Sequence, residues 1–298
     1  MQLNLENNIK LQNLDLSGGR IPTIDLSKNL DLRTLNCNSG WVTKLDLSKN
    51  IELTELYCNE NYSLDKLDLR NNKKLTKITS LNSPVKELLL PENNEIKEID
   101  CRWNQLPELD LSSSPKLTKL ECQVNQLKKL DVSKNPELTE LYCNENQITS
   151  LDLSNNTKLK SFNGRDQKYD LTIIKGRRVI EKSDLPDGFD FSKVTGKVEN
   201  ASVKGDSFKL DANVKYIIYE YNVGVAGLSN LTCRININHY VDMKVKQDPK
   251  LVYKEGENLD LSGLIVTLVD GDGKETDIPF KDFQHYNIQT NYNDKTEL

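Results

Sequence analysis

The feature that most constrains the fold is a repeat of 21 residues, which is clearest over residues 117–158. Two consecutive copies stand there, LTKLECQVNQLKKLDVSKNPE and LTELYCNENQITSLDLSNNTK. Each copy carries Leu-x-x-Leu-x-Cys-x-x-Asn-x-(Leu/Ile), followed by x-x-Leu-Asp-(Leu/Val)-Ser-x-Asn. A short fixed period of this kind is typical of solenoids, in which each repeat packs only on its neighbours.

The repeat extends over residues 11–158 as seven full rungs, and a half rung follows over 159–167. Half-repeats begin at alternating steps of 10 and 11 residues, apart from one inserted residue near Tyr62 and Ser63. Each half offers Leu-x-x-Leu-x-Leu or a close variant, whose alternating side chains predict a short strand. We therefore predict a mainly β fold: a right-handed leucine-rich-repeat solenoid with parallel strands on both flanks.

One column of stacked positions in this solenoid holds most of the cysteines. They recur once per rung, with serine in one rung: Cys37, Cys58, Ser80, Cys101, Cys122 and Cys143. In-register side chains on neighbouring strands point in parallel, which suits neither a disulfide nor a tetrahedral zinc site. We predict that these thiols are small buried apolar groups and that the chain uses no metal and no cofactor.

Two further columns hold asparagine, and we interpret both as structural. The first comprises Asn61, Asn104, Asn125 and Asn146. The second comprises Asn29, Asn50, Asn72, Asn93, Asn135 and Asn156. An asparagine amide suits a corner of the chain because it can both donate to and accept from backbone groups that a turn leaves unpaired.

A fourth column places a carboxylate in nearly every rung, at Asp25, Asp46, Asp68, Asp110, Asp131 and Asp152. Like charges one rung apart repel by roughly 1 kcal/mol in water, so hydrogen bonds, or lysines two positions earlier such as Lys44, must offset the repulsion. A calcium-binding edge is the alternative. One carboxylate per rung falls short of the about six to eight oxygens that Ca²⁺ takes.

Two sets of residues are candidate contact sites. Outward positions on and just after the cysteine-bearing strands carry Tyr57, Arg102, Trp103, Glu121 and Tyr142. Aromatic and arginine side chains over a polar ground resemble the composition of binding surfaces, and an ordinary solvated face is the alternative. In the rung at 75–95, Leu81 and Leu89 take positions that are polar in most other rungs, which indicates an apolar contact or a packing irregularity.

The period stops after Gln167, and we divide the chain into three parts. We predict a solenoid over 1–169, a β-rich capping or linking domain over 170–241, and a shortened immunoglobulin-like domain over 242–298. In the last part, Asp270-Gly271-Asp272-Gly273 is interpreted as a hairpin turn rather than a calcium loop. Because Met1 starts inside a rung, we expect an N-terminal cap and an export signal outside this chain.

Residues 11–167 resemble bacterial leucine-rich-repeat surface proteins on the nested unit Leu-x-x-Leu-x-Cys-x-x-Asn-x-Leu-x-x-Leu-Asp-Leu-Ser. They are also similar to the internalins, whose repeat is typically a residue longer and which carry a helical N-terminal cap. Residues 185–194 resemble the β domain that often follows such repeats, and the chain from Met243 resembles bacterial immunoglobulin-like repeats. The resemblance implies a secreted or bacterial cell-surface protein. It carries over no ligand residues, because the shared motif is scaffold.

Composition and motifs favour a binding module over an enzyme. The net charge of -5 and the pI near 5.4 do not suggest nucleic acid, and no apolar run has the length of a membrane span, so we predict no membrane insertion. The two histidines, His239 and His285, lie outside the repeats. No nucleophile elbow, phosphate loop or His-rich metal motif occurs in the sequence.

We therefore predict a non-enzymatic adhesion module that binds an extracellular protein or glycan on its solenoid face, as a monomer. Two alternatives stay open. One is a structural spacer or self-assembly element, and the other is the targeting arm of an enzyme whose catalytic domain lies outside this chain.

Overall fold

The computed structural model describes residues 3–92, 94–174, 176–250, 252, 260–271, 273–283, 286 and 288. It confirms the mainly β leucine-rich-repeat solenoid followed by a β-rich region. The helices of the described residues are three 3-10 turns: η1 (Lys182–Asp184), η2 (Phe191–Lys193) and η3 (Phe280–Asp282). Because each is a single turn, none within these ranges could cross a lipid bilayer.

The chain divides into two compact units. The first comprises Met1–Tyr169, Ser192–Gly196 and Tyr219–Arg234. The second comprises Asp170–Phe191, Lys197–Ile218 and Ile235–Leu298. The solenoid lies wholly in the first unit.

The solenoid strands are three residues each, and they follow the repeat. They are β1 (Asn13–Asp15), β2 (Thr34–Asn36), β3 (Glu55–Tyr57), β4 (Lys66–Asp68), β5 (Lys77–Thr79), β6 (Glu87–Leu89), β7 (Glu98–Asp100), β8 (Lys119–Glu121), β9 (Glu140–Tyr142) and β10 (Ser161–Asn163). Eight of them form one parallel sheet in the order β1-β2-β3-β5-β7-β8-β9-β10, which we call the cysteine flank. Leu35 pairs with Leu56 and Leu56 with Ile78, so the step lengthens by one residue between β3 and β5, where the sequence indicated the insertion.

The middle side chain of each strand builds the core of the solenoid. The middle residues of the six central strands are at most 1% exposed: Leu35, Leu56, Ile78, Ile99, Leu120 and Leu141. Burying one such side chain contributes roughly 1.5–3 kcal/mol, and every rung supplies several. A long row of small identical contributions therefore stabilises the solenoid.

The opposite flank, which we call the aspartate flank, departs from the prediction of strands on both flanks. There only β4 and β6 pair as strands among the described residues. The aspartates of this flank each accept the amide hydrogen two residues later and close a local turn. This bond does not by itself exclude a strand, because Asp15 of β1 accepts the Ser17 amide hydrogen at 2.9 Å in the same way. Leu89 replaces the aspartate in β6, and the Asp68 bond to the Arg70 amide in β4 is long, at 3.3 Å.

The last rung of the solenoid is closed by residues 219–234 of the same unit. The Leu153 amide donates to the Val223 carbonyl at 2.7 Å, and the Tyr219 hydroxyl donates to the Thr149 carbonyl at 2.8 Å. The first bond satisfies a backbone amide, and the second a backbone carbonyl, that the end of the solenoid would otherwise leave unpaired. Gly164 lies 21 residues after Cys143, at the next position of the cysteine column. A Cβ there would lie 2.5 Å from Phe162 Cζ and 2.8 Å from Leu231 Cδ1, so glycine fits this position.

The remaining strands form two sheets. They are β11 (Gln167–Ile174), β12 (Val179–Glu181), β13 (Val194–Glu199), β14 (Ala201–Val203), β15 (Ser207–Leu210), β16 (Tyr216–Tyr221), β17 (Leu231–Gln247), β18 (Ile265–Asp270) and β19 (Glu275–Pro279). One sheet has the order β12-β15-β14; the other has the order β13-β16-β17-β18-β19, with β11 also paired to β17. A small core under β18 and β19 comprises Val266, Leu268, Ile278, Phe283 and Ile288.

The turn between β18 and β19 confirms the hairpin interpretation. These strands pair antiparallel, and the Asp270 carboxylate accepts the Lys274 amide hydrogen at 2.9 Å. Gly273 has a φ of 82°, a left-handed conformation that glycine tolerates. Asp272 lies outside the described residues.

Candidate functional site

The cysteine column is structural, as predicted. All six thiols are free and buried, and no described cysteine is paired. Burial raises the pKa of Cys58 and of Cys143 to about 12, which keeps both thiols protonated and unreactive near neutral pH. Cys233 continues the thiol cluster from outside the repeat: its Sγ donates to the Ile148 carbonyl at 2.8 Å, and burial raises its pKa to about 12.

The asparagines behind the cysteine flank form what we call the cysteine-flank ladder, with Asn61, Asn104, Asn125, Asn146 and Gln167 as its members. Asn125 shows the pattern. Its Nδ2 donates to the carbonyls of Cys101 and Cys122 at 2.9 and 3.1 Å, and its Oδ1 accepts the Leu106 amide hydrogen at 3.0 Å. Each side chain thus ties two successive rungs together. Gln167 was missed in the sequence, although it lies 21 residues after Asn146.

The asparagines behind the aspartate flank form a second row, the aspartate-flank ladder, in which the amide groups donate hydrogen bonds but accept none among the described residues. Its members are Asn29, Asn50, Asn72, Asn135 and Asn156, and each donates to two backbone carbonyls. Their Oδ1 atoms are buried without a partner among the described residues. Asn93 lies outside the described residues. Asn94 is the buried residue of that rung, and it donates to Ser114 Oγ at 2.9 Å.

The aspartate column is satisfied by hydrogen bonds. Bonds from the serine two residues later lower the pKa of Asp46, Asp110 and Asp131, and nearby lysines lower it further at Asp46 and Asp131. Hydrogen bonding to the charged form favours ionisation and offsets the repulsion between rungs. Across the described ranges, no group of three or more His, Cys, Asp or Glu side chains could hold a metal ion.

The five candidate contact residues lie on the outward face of the cysteine flank. Tyr57, Glu121 and Tyr142 occupy the third position of β3, β8 and β9. Arg102 and Trp103 lie two and three residues after the end of β7. Arg102, Trp103, Glu121 and Tyr142 therefore lie on or just after three adjoining strands, while β5 separates Tyr57 from them.

Most of these side chains are held by neighbours on the sheet. Arg102 makes two bonds to Asp100, at 2.9 and 2.8 Å, and lies 3.7 Å from Glu121. The bond to Asp100 raises the pKa of Arg102. The Tyr57 hydroxyl donates to Glu55 at 2.8 Å, and the Tyr142 hydroxyl lies 2.8 Å from Ser161 Oγ. The face is therefore ordered before any ligand arrives, and Arg102 is not a free cation.

Exposed aromatic side chains lie in the turns that follow strands of the cysteine flank. Trp103 is 50% exposed, and the sequence analysis missed Trp41 and Tyr62, which are 57% and 64% exposed. The two tryptophans are the only ones in the chain, and each has an arginine nearby: Arg20 lies 5.2 Å from the Trp41 ring centroid and Arg102 lies 5.8 Å from that of Trp103. The signal was available, because Trp41 and Tyr62 follow the ladder column at positions where later rungs carry glutamine.

Both tryptophans have left-handed backbone, with a φ of 63° at Trp41 and 53° at Trp103. This conformation belongs to the turn of each rung. It recurs in steps of 21 or 22 residues at Ser39, Glu60, Asn82, Trp103, Val124, Glu145 and Asp166, and Arg20, 21 residues before Trp41, has it as well. What distinguishes Trp41 and Trp103 is therefore the exposure of two large rings, which contribute nothing to the core.

A shallow depression lies at the N-terminal end of the same face. It has a volume of about 320 Å³ and is lined by Asn13, Leu14, Asp15, Thr34, Asn36 and Tyr57. Tyr57 therefore forms an aromatic wall beside amide, hydroxyl and carboxylate groups. Such a mixture of apolar and hydrogen-bonding groups suits ligand recognition.

The two leucines of the irregular rung do not form one patch. Leu81 follows β5 of the cysteine flank, whereas Leu89 ends β6 of the aspartate flank. Both are half-buried. Ser80, which replaces the cysteine in this rung, is buried, and its hydroxyl has no partner in the described part of the chain.

No protein-family model matches this chain, and no curated protein matches it. Among solved structures, the chain is similar to the functional domain of InlJ from Listeria monocytogenes, which is reported to include a cysteine ladder. The two share 25% sequence identity with a TM-score of 0.64, and the match covers 80% of this chain and 55% of that one. The chain thus spans about half the length of that structure. The similarity supports an internalin-like leucine-rich-repeat solenoid.

Proposed function

We propose that this chain is the non-enzymatic binding module of a secreted or cell-surface bacterial protein. The outward face of the cysteine flank recognises an extracellular protein or glycan. The observation that carries the proposal is the pair of exposed tryptophans, Trp41 and Trp103, each of which lies beside an arginine. Trp, Tyr and Arg are the residues in which the binding energy of interfaces concentrates.

The ordering of the face supports the same function. Binding costs about 0.5–1.5 kcal/mol for each flexible side chain that must be immobilised. Arg102, Tyr57 and Tyr142 already have partners on the sheet, so less of that cost remains. The similarity to InlJ, an internalin-like solenoid with a cysteine ladder, favours adhesion over catalysis.

The test is a binding screen of the fragment against arrays of extracellular proteins and glycans, followed by alanine variants. Trp41→Ala and Trp103→Ala should each weaken binding by about tenfold or more, because truncation of a hot-spot residue costs about 2 kcal/mol. Ile51→Ala is the matched control, since Ile51 is an exposed apolar residue, 54% exposed, that follows the aspartate-flank ladder. All three variants should melt at the wild-type temperature.

Equal losses in Ile51→Ala and in the tryptophan variants would contradict this assignment of the face. Light scattering over a range of concentrations tests the self-assembly alternative at the same time. The proposed module stays monomeric, whereas mass that rises with concentration would favour self-assembly.

A further inference from the structure

The second unit contains a cavity of about 450 Å³ that belongs neither to the solenoid nor to the proposed binding face. Three segments line it: residues 176–178 between β11 and β12, residues 210–215 between β15 and β16, and His239 of β17. Two backbone bonds hold them together. The Leu210 amide donates to the Arg178 carbonyl at 2.9 Å, and the Ile237 amide donates to the Lys215 carbonyl at 2.8 Å.

The charges of the lining are unequal. Arg177 is neutralised by the buried Asp184, with bonds of 2.8 and 2.6 Å. Arg178 and Lys215 have no carboxylate within 4 Å among the described residues, and Asp211 is the acidic residue among the described lining. Arg178 donates one hydrogen bond to the Leu210 carbonyl at 3.4 Å. Two cations without a described carboxylate partner therefore share the lining with one carboxylate, in a chain whose net charge is -5.

The His239 ring forms part of the cavity wall. Its Nδ1 is buried away from solvent, so the ring lines the cavity through its other atoms. The guanidinium fork of Arg178 matches a carboxylate, sulfate or phosphate, and Lys215 adds a point charge.

We propose that this cavity binds a small organic oxyanion, which Arg178 and Lys215 neutralise beside the His239 ring. The volume lies within the range of roughly 300–1,000 Å³ typical of small-molecule sites, so it admits a molecule of about monosaccharide size that bears the anionic group. The site does not depend on the proposed function of the solenoid.

Imidazole NMR provides a direct test, because the chain has only two histidines. A His285→Gln variant assigns the two signals. Sulfate, inorganic phosphate and glucuronate are titrated at constant ionic strength, and glucose is the uncharged counterpart of glucuronate. The oxyanions should shift the His239 signal saturably and glucose should not. The ratio of glucuronate to sulfate affinity separates a sugar-borne anion from a free one.

Substitutions of the lining residues test whether the oxyanion binds in this cavity. Arg178→Gln and Lys215→Gln should each weaken glucuronate or sulfate binding by about fivefold or more, since charge-assisted hydrogen bonds are lost. Both side chains are exposed, so the fold should tolerate the changes. Lys204→Gln, an exposed lysine of the same unit outside the cavity, should bind as wild type. The proposal is overturned if no oxyanion shifts His239, if glucose binds equally well, or if Lys204→Gln weakens binding as much as the other two.

Discussion

The two flanks of the solenoid repeat the same leucine spacing, yet they use it differently. On the cysteine flank, each cysteine amide donates to a carbonyl of the next rung, and the ladder asparagines use both their donors and their acceptor. On the aspartate flank, carboxylates close local turns and the ladder asparagines leave Oδ1 unused. An aspartate after the strand leucine does not by itself prevent a strand, because Asp15 and Asp100 end β1 and β7 of the continuous sheet.

The difference matters for function because a binding face whose side chains are already fixed loses less conformational entropy when a ligand binds. The cysteine flank ties each rung to the next through backbone and side chain alike. The candidate contact residues and the exposed tryptophans lie on this flank. A rigid platform loses little entropy when it binds.

The largest expected effect comes from deleting one asparagine of each ladder. Asn125→Ala leaves the Leu106 amide and the Cys101 and Cys122 carbonyls without their partner, whereas Asn135→Ala deprives only two carbonyls. A buried unpaired amide is tolerated less well than a carbonyl. We expect the free energy of unfolding to fall by about 4 kcal/mol in the first variant and about 2 kcal/mol in the second, measured by urea denaturation. Equal losses would remove the distinction between the ladders.

Much of this architecture was predictable from sequence because a repeat converts local pattern into tertiary contact. The period placed Cys58, Asn61 and Asn125 in their buried columns, and it located the inserted residue near Tyr62. The strand content of the aspartate flank was not predictable. The Leu-x-x-Leu-Asp pattern does not show that the Asp131 carboxylate binds the Ser133 amide in preference to a neighbouring rung.

In the irregular rung at 75–95, one substitution should raise the free energy of unfolding rather than lower it. Ser80→Cys restores the cysteine column and removes a buried hydroxyl that lacks a partner among the described residues. We expect it to stabilise the fold by about 1 kcal/mol. Ser114→Cys is the matched control: Ser114 is equally buried, but its Oγ accepts from Asn94, so this variant should destabilise by about 1 kcal/mol. Destabilisation by Ser80→Cys would contradict this prediction, because it would show that the Ser80 hydroxyl forms a hydrogen bond in the folded protein.

The smallest effect concerns the acid dependence of the aspartate flank. Bonds from Ser133 lower the pKa of Asp131 in the folded state. Its contribution is therefore complete above the unfolded pKa, about 3.9, and is lost as pH falls through the lowered folded pKa. Asp131→Ala should cost about 0.5 kcal/mol at pH 7, and the cost should disappear near pH 2 in urea titrations. Asp131→Asn keeps the acceptor but cannot titrate, so an unchanged acid dependence in that variant would contradict this account.

The candidate site was less predictable than the fold. Arg102 and Trp103 were identified from composition, but their environment depends on side-chain geometry: Arg102 is bound by Asp100, while Trp103 stays exposed. The cavity beside His239 joins segments from three places in a region without a repeat, and no sequence period brings such segments together.

Amide hydrogen exchange measured by NMR tests most directly whether the cysteine flank is the rigid side. The cysteine amides donate to the next rung at 2.8–2.9 Å, whereas the serine amides of the aspartate flank donate to exposed carboxylates within their own turns. Cys58, Cys101 and Cys122 should exchange only through global unfolding, about a thousandfold or more slower than Ser48, Ser112 and Ser133. Comparable exchange rates on the two flanks would contradict the account.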